Sequence, residues 1–117
     1  MSKLPVLKGT LDVLVLRALS WGPMHGFEIV SWLERAGNSA LDIDDSALYQ
    51  AVYRLEEKGL LQADWGVTEN NRRARYYKLT PAGRSHLRAE TKNWVQYAST
   101  VTDILITKDG SAAATTG

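Results

Sequence analysis

Cysteine is absent from this 117-residue sequence. Its absence excludes disulfides, cysteine-bound zinc and thiol catalysis. Histidine is scarce: His25 and His86 are the only two, and they fall on different predicted helices. No nucleophile–base pairing, Gly-rich phosphate loop or metal-ligand spacing is visible. Glu56 and Glu57 are neighbours on a helix and point apart, so they form no carboxylate pair. The expectation is a protein with no catalytic residues, no metal and no cofactor. Long apolar runs are also missing. The stretch from Leu11 to Leu19 is broken by Asp12 and Arg17, too short and too charged for a bilayer span or a signal core. A cytoplasmic protein with no membrane partner is expected.

Net charge is only +1, but its distribution is uneven. Arg72, Arg73, Arg75, Lys78, Arg84 and Arg88 fall between Asn70 and Arg88 with no acid among them. The segment from Glu28 to Asp45 holds five acids and one arginine. Segregation of this kind can mark a binding face for a polyanion, and it can equally be a solvated basic strand.

Apolar spacing predicts a first helix over about Thr10 to Ser20, carried by Leu11, Leu14, Val15, Ala18 and Leu19. Trp21-Gly22-Pro23 breaks the chain. A second helix should run from about His25 to Ala36, with Phe27, Val30 and Leu33 near one face and Gly37 as a left-handed terminator. The alternation in Ala40–Asp44 fits a very short strand. Asp44 or Asp45 can cap a third helix, from about Ser46 to Lys58, ended by Gly59. Leu60–Trp65 and Arg72–Leu79 read as strands joined by a Gly- and Asn-bearing hairpin loop. Thr80 and Pro81 open a fourth helix that reaches about Thr107.

Three helices and then a hairpin describe a winged helix-turn-helix. The fold class expected is therefore mainly α with a small β-hairpin (α+β), plus a long C-terminal helix. The domain division expected is 1–80 for a DNA-binding unit, 81–107 for a dimerisation helix and 108–117 for a disordered tail.

Opposite the stripe of Leu48, Ala51, Val52 and Leu55, the third helix carries Ser46, Tyr49, Gln50, Tyr53, Arg54 and Glu57 at helical spacing. A merely solvated face is usually rich in Lys and Glu; this one offers hydroxyls, an amide and a guanidinium. In a major groove Gln50 could pair with adenine and Arg54 with guanine or a phosphate, while Tyr49 and Ser46 hold the backbone. Packing of both tyrosines under the hairpin or the first helix is the bland alternative. Arg72, Arg73 and Arg75 open the outgoing strand of the hairpin, where arginine can bind phosphates or enter a narrow minor groove. Strand alternation puts Arg73 and Arg75 on one side with Tyr77, and Arg72 on the other.

On the last helix Leu87, Thr91, Trp94, Ala98, Val101 and Leu105 repeat at steps of four and three, a coiled-coil-like seam for a second copy of the chain. Folding back on the first helix is the alternative. Trp94, with Tyr97 and Ala98, could also line a cavity for a small planar aromatic ligand, or serve as a plain interface anchor. A winged helix that binds protein instead of duplex DNA is the rival function, because fold alone does not fix function.

Several short motifs fall in order: Gly22-Pro23-Met24-His25-Gly26-Phe27-Glu28-Ile29, Ala47-Leu48-Tyr49, Arg54-Leu55-Glu56-Glu57-Lys58-Gly59-Leu60, Trp65, and Tyr76-Tyr77-Lys78-Leu79-Thr80-Pro81-Ala82-Gly83. Together they resemble the PadR family of bacterial regulators across nearly all of Leu11 to Trp94. The resemblance implies a homodimeric winged-helix repressor that binds a double-stranded DNA operator and dimerises through its C-terminal helix. It also implies DNA contact through Ser46, Tyr49 and the arginines near Arg73. Some members respond to phenolic acids or flat drugs, and Trp94 resembles their pocket aromatic. The chain departs from the family where Ser46-Ala47-Leu48-Tyr49-Gln50 stands in place of the usual Gly-Thr-Leu-Tyr-Pro, and where Phe27 replaces a tyrosine. Operator preference is therefore not carried over.

Overall fold

The computed structural model describes residues 3–110. The expected tail falls mostly on 111–117, outside the described residues. Elements run in the order β1 (Leu4–Pro5), α1 (Thr10–Leu19), β2 (Met24–His25), α2 (Gly26–Ala36), β3 (Leu41–Asp42), α3 (Asp45–Glu57), β4 (Leu61–Val67), β5 (Arg73–Leu79) and α4 (Pro81–Ile106). This is the winged helix-turn-helix with an added long helix that the sequence predicts, α+β in class.

The core is apolar throughout. Leu16 and Leu19 of α1, Ile29 and Leu33 of α2, and Leu48, Val52 and Leu55 of α3 meet the base of the wing at Leu61, Tyr77 and Leu79. The stripe predicted for α3 is the stripe it buries. On α2 the expectation fails for Phe27, which is 72% exposed. Two positions from Ile29 on a helix of 3.6 residues per turn lies nearly on the opposite side.

Helix ends obey local chemistry. Asp44 caps α3 by accepting from the Ala47 N–H at 3.0 Å. His25 caps α2 within a capping box: its Nδ1 accepts from Glu28 N–H, and Glu28 Oε1 accepts from His25 N–H. Gly37 does not take the left-handed turn after α2 that its type suggests, for its φ is −97°. Asn38 takes it instead, at φ 53°. The Asn38 and Ser39 N–H groups then donate to the Arg35 and Glu34 carbonyls, a Schellman closure built on asparagine.

Two short strands escape sequence reading. β1 pairs in parallel with β3, Leu4 opposite Leu41. β2 pairs antiparallel with β5, so the sheet order is β2-β5-β4. Two-residue strands carry no periodicity to read. The β4–β5 register, Leu61↔Leu79 through Val67↔Arg73, fixes which side chains of the wing stand together. Residues opposite each other share a face. One face of the wing therefore runs Leu61/Leu79, Ala63/Tyr77, Trp65/Arg75, Val67/Arg73, from the buried base out to the tip.

α4 is stitched to the turn before the wing. Thr80 Oγ1 donates to the Gly59 carbonyl and accepts from Gly83 N–H. A Cβ on Gly83 would strike the Leu60 carbonyl, so only glycine allows this approach. Leu87 is 8% exposed and belongs to the core of its own chain. That corrects its assignment to a seam between two copies: its apolar surface is already covered by α4 docking on the domain. The same docking means that the boundary drawn at residue 80 is not a break in packing. Beyond Leu87 the helix runs past the start of α1 as far as Tyr97, and its end carries no such neighbours. Its 26 residues span about 39 Å, and the radius of gyration is 17.9 Å where a compact chain of this length has about 13 Å.

Candidate nucleic-acid interface

An open groove of about 760 Å³ lies between the start of α2, the outer face of α3 and the inner face of the wing. Tyr49 and Tyr53 of α3 line its floor, with rings 6.3 Å apart. They are 37% and 49% exposed, so they are neither packed away nor fully free. Ser46 and Gln50 are exposed on the same helix. The groove closes on Tyr49 because α2 begins with Gly26: any Cβ there would meet the Tyr49 hydroxyl and ring.

The wing supplies the opposite wall. Its turn is held by Thr68, whose N–H donates to the Arg72 carbonyl and whose Oγ1 accepts from the Arg72 N–H. Arg72 and Arg73 are exposed beside this turn. The Arg73 guanidinium lies over the Trp65 ring, 4.7 Å from its centroid, which orients it without neutralising it. Among the described residues no carboxylate lies within salt-bridge distance of either arginine. Tyr76 braces the other face of the wing. Its ring lies against Gly66, its hydroxyl donates to the Val67 carbonyl, and it meets His25 edge-on.

The other two predicted arginines sit differently. Arg54 is bound to Asp12 of α1 at 2.6 Å. Arg75 is bound to Glu56 of α3 at 2.8 Å, with its guanidinium over the ring of Tyr77. Both cations are already matched by a carboxylate inside the domain. The structure thus brings Tyr49, Tyr53, Arg72, Arg73 and Arg75 to the lining of one groove, and leaves Ser46 and Gln50 exposed on α3 outside that lining. Arg54 serves as a tie to α1, and Arg75 as a tie from wing to helix. Sequence reasoning gives Trp65 no role at the groove. Its place on the incoming strand, across the hairpin from Arg73 and Arg75, is the one signal that could have found it.

Only Tyr77 among the groove's ionisable groups has a resolved shift. Burial pushes its phenol above the usual 10.0, with Arg75 pulling the other way. The phenol is neutral throughout the physiological range.

A second hollow, of about 640 Å³, lies where α4 passes the start of α1. Val13, Trp94 and Tyr97 contribute to its wall, and the Trp94 and Tyr97 rings are 6.3 Å apart. Ala98 is half-buried and outside that lining. Elsewhere on α4, Thr91 and Leu105 are exposed and Val101 is half-buried. Ile104, Leu105 and Ile106 are 66%, 76% and 66% exposed, an apolar end that its own domain does not cover. Among the described residues no helix is long and apolar enough to cross a membrane.

Residues 15–89 match the model of the PadR-like transcriptional regulator family. A PadR-family transcriptional regulator from Eggerthella lenta is 32% identical, with a TM-score of 0.73 and 86% of each chain covered. A Streptococcus mutans structure is 29% identical with a TM-score of 0.76, covering 92% of this chain and all of that one. An uncharacterized protein of Lysinibacillus sphaericus is 28% identical over 91 residues, 78% of this chain and 84% of its own length.

Proposed function

Because this chain belongs to the PadR-like family of transcriptional regulators, we propose that it is a homodimeric, sequence-specific DNA-binding repressor working in the cytoplasm. Ser46, Tyr49, Gln50 and Tyr53 enter the major groove, Gln50 reading a base edge and the hydroxyls holding phosphates. Arg72 and Arg73 reach the flanking backbone or minor groove. Arg54 and Arg75 position the helix and the wing and stay off the duplex. One observation carries this reading. Two guanidinium groups with no carboxylate partner among the described residues border the groove floored by Tyr49 and Tyr53, on a helix that also exposes Gln50.

The part of α4 from Thr91 onward supplies the dimer contact through Thr91, Trp94, Ala98, Val101 and Leu105. Its apolar end is otherwise in water, and a second copy covers it. Two recognition helices then meet half-sites about 34 Å apart. The hollow beside Trp94 and Tyr97 takes a planar aromatic effector that releases the operator.

The test is the salt dependence of duplex affinity. Counterion release gives a slope near −0.9 per phosphate neutralised. Arg72→Ala with Arg73→Ala should flatten that slope by one to two such steps. Wild-type protein with no affinity for any duplex at low salt would favour the rival, a winged helix that binds protein.

A further inference from the structure

The wing carries three arginines within four positions, yet only Arg75 has a carboxylate partner among the described residues. Arg75 Nη2 lies 2.8 Å from Glu56 Oε2, and the same guanidinium covers the ring of Tyr77 at 5.6 Å. The pair is about two-thirds buried on each side, with side chains 37% and 30% exposed. Arg73, two positions nearer the tip on the same face, rests on Trp65 with its charge unmatched. Adjacent arginines on one face are thus in opposite electrostatic states, and the difference is made by Glu56 alone.

Glu56 belongs to the last turns of α3 and Arg75 to the middle of β5. Their bond spans the two elements that line the groove. A charge-assisted bond at this length fixes a direction as well as a distance. An unpaired Arg75 would lie about 7 Å along the strand from Arg73, near enough to reach a phosphate beside the one Arg73 serves.

We propose that Glu56 is a specificity-determining residue of the DNA interface. By holding Arg75 against Tyr77 it withdraws one cation from the phosphates and sets the angle between wing and recognition helix. This rests on the DNA-binding reading. Phosphate contacts add affinity without sequence information. Freeing Arg75 therefore adds affinity on every sequence alike, while discrimination falls because the angle between wing and recognition helix is no longer held. Glu56 and Arg75 are positioning residues here, and neither touches DNA in the wild-type protein.

The experiment measures affinity against salt for the full chain on a mixed-sequence duplex and on a duplex selected from a random pool. Glu56→Gln keeps the side chain's size and removes its charge. It should steepen the slope on mixed sequence by about 0.9, one added phosphate, and lower the selected-to-mixed affinity ratio several-fold. Arg75→Gln alone should leave the mixed-sequence slope at its wild-type value while lowering the same ratio. Combining the two substitutions should also keep the wild-type slope. A merely structural role for the pair lowers both affinities together and leaves every slope unchanged, which overturns the proposal. So does a slope flattened by about 0.9 in Arg75→Gln, because Arg75 would then already sit on a phosphate. The Arg75→Gln measurement stands even if Glu56→Gln folds poorly. Absence of salt-dependent binding by the wild type would defeat the DNA-binding reading itself, an outcome distinct from intact binding with unmoved slopes.

Discussion

The phenol of Tyr49 lies over the bare α-carbon of Gly26, so close that a methyl group on Gly26 would overlap the tyrosine ring. The first residue of α2 and the outer face of α3 are thereby in contact at the floor of the groove. Gly26→Ala should push Tyr49 outward and weaken duplex binding while leaving the salt slope unchanged, since no charge is moved. Fold stability should change by no more than about 1 kcal/mol, because alanine favours a helix and the tyrosine tip is free to swing. Circular dichroism melting together with a salt titration checks both halves.

Leu87 and Leu105 share a predicted seam but not an environment. Leu87 is 8% exposed in the core and Leu105 is 76% exposed on the free end of α4. Leu87→Ala should destabilise each protomer by about 2–4 kcal/mol. Leu105→Ala should change protomer stability by less than about 0.5 kcal/mol and shift the protein toward monomer in sedimentation. Equal effects of the two substitutions on association would contradict the division of α4 into a docked half and a free half.

The two halves of α4 differ in how far the sequence reveals them. The start of the helix is legible from Thr80 and Pro81, and its length from the apolar steps. Where its stripe passes from the domain to solvent is not, because that depends on how far α1 extends beside it. The same division holds elsewhere. The helices, the hairpin and the stripe of Leu48, Ala51, Val52 and Leu55 are written in spacing and caps. The ties Asp12–Arg54 and Glu56–Arg75 join residues with no local relation, so a pattern of exposed cations is readable and their engagement is not. Asn38 in place of Gly37 as the left-handed residue is a smaller case. Both residues suit that turn, and the hydrogen bonds of Asn38 and Ser39 decide between them.

Burial of Tyr77 makes stability fall at high pH. Its phenol titrates above the ordinary value of 10.0 in the folded chain, so it stays protonated where the unfolded chain has begun to ionise. The contribution is intact below the unfolded value and is lost as pH rises through the folded one. Melting temperature should drop more steeply above about pH 10 in wild type than in Tyr77→Phe. Parallel curves for the two proteins would contradict this assignment.

Trp94 and Tyr97 bracket the second hollow. In a variant with Trp21, Trp32 and Trp65 changed to Phe, planar aromatic compounds should quench the remaining fluorescence saturably. The same compounds should weaken duplex binding by the wild-type protein. Linear quenching without saturation would leave Trp94 as a packing residue of the dimer.

Hydroxyl-radical footprinting of the wild-type protein on a duplex selected from random sequence tests the central claim most directly. Two copies of the α3-and-wing groove predict two protected patches, related by a dyad and about 34 Å apart along the duplex. A single patch, or protection with no dyad, would contradict it.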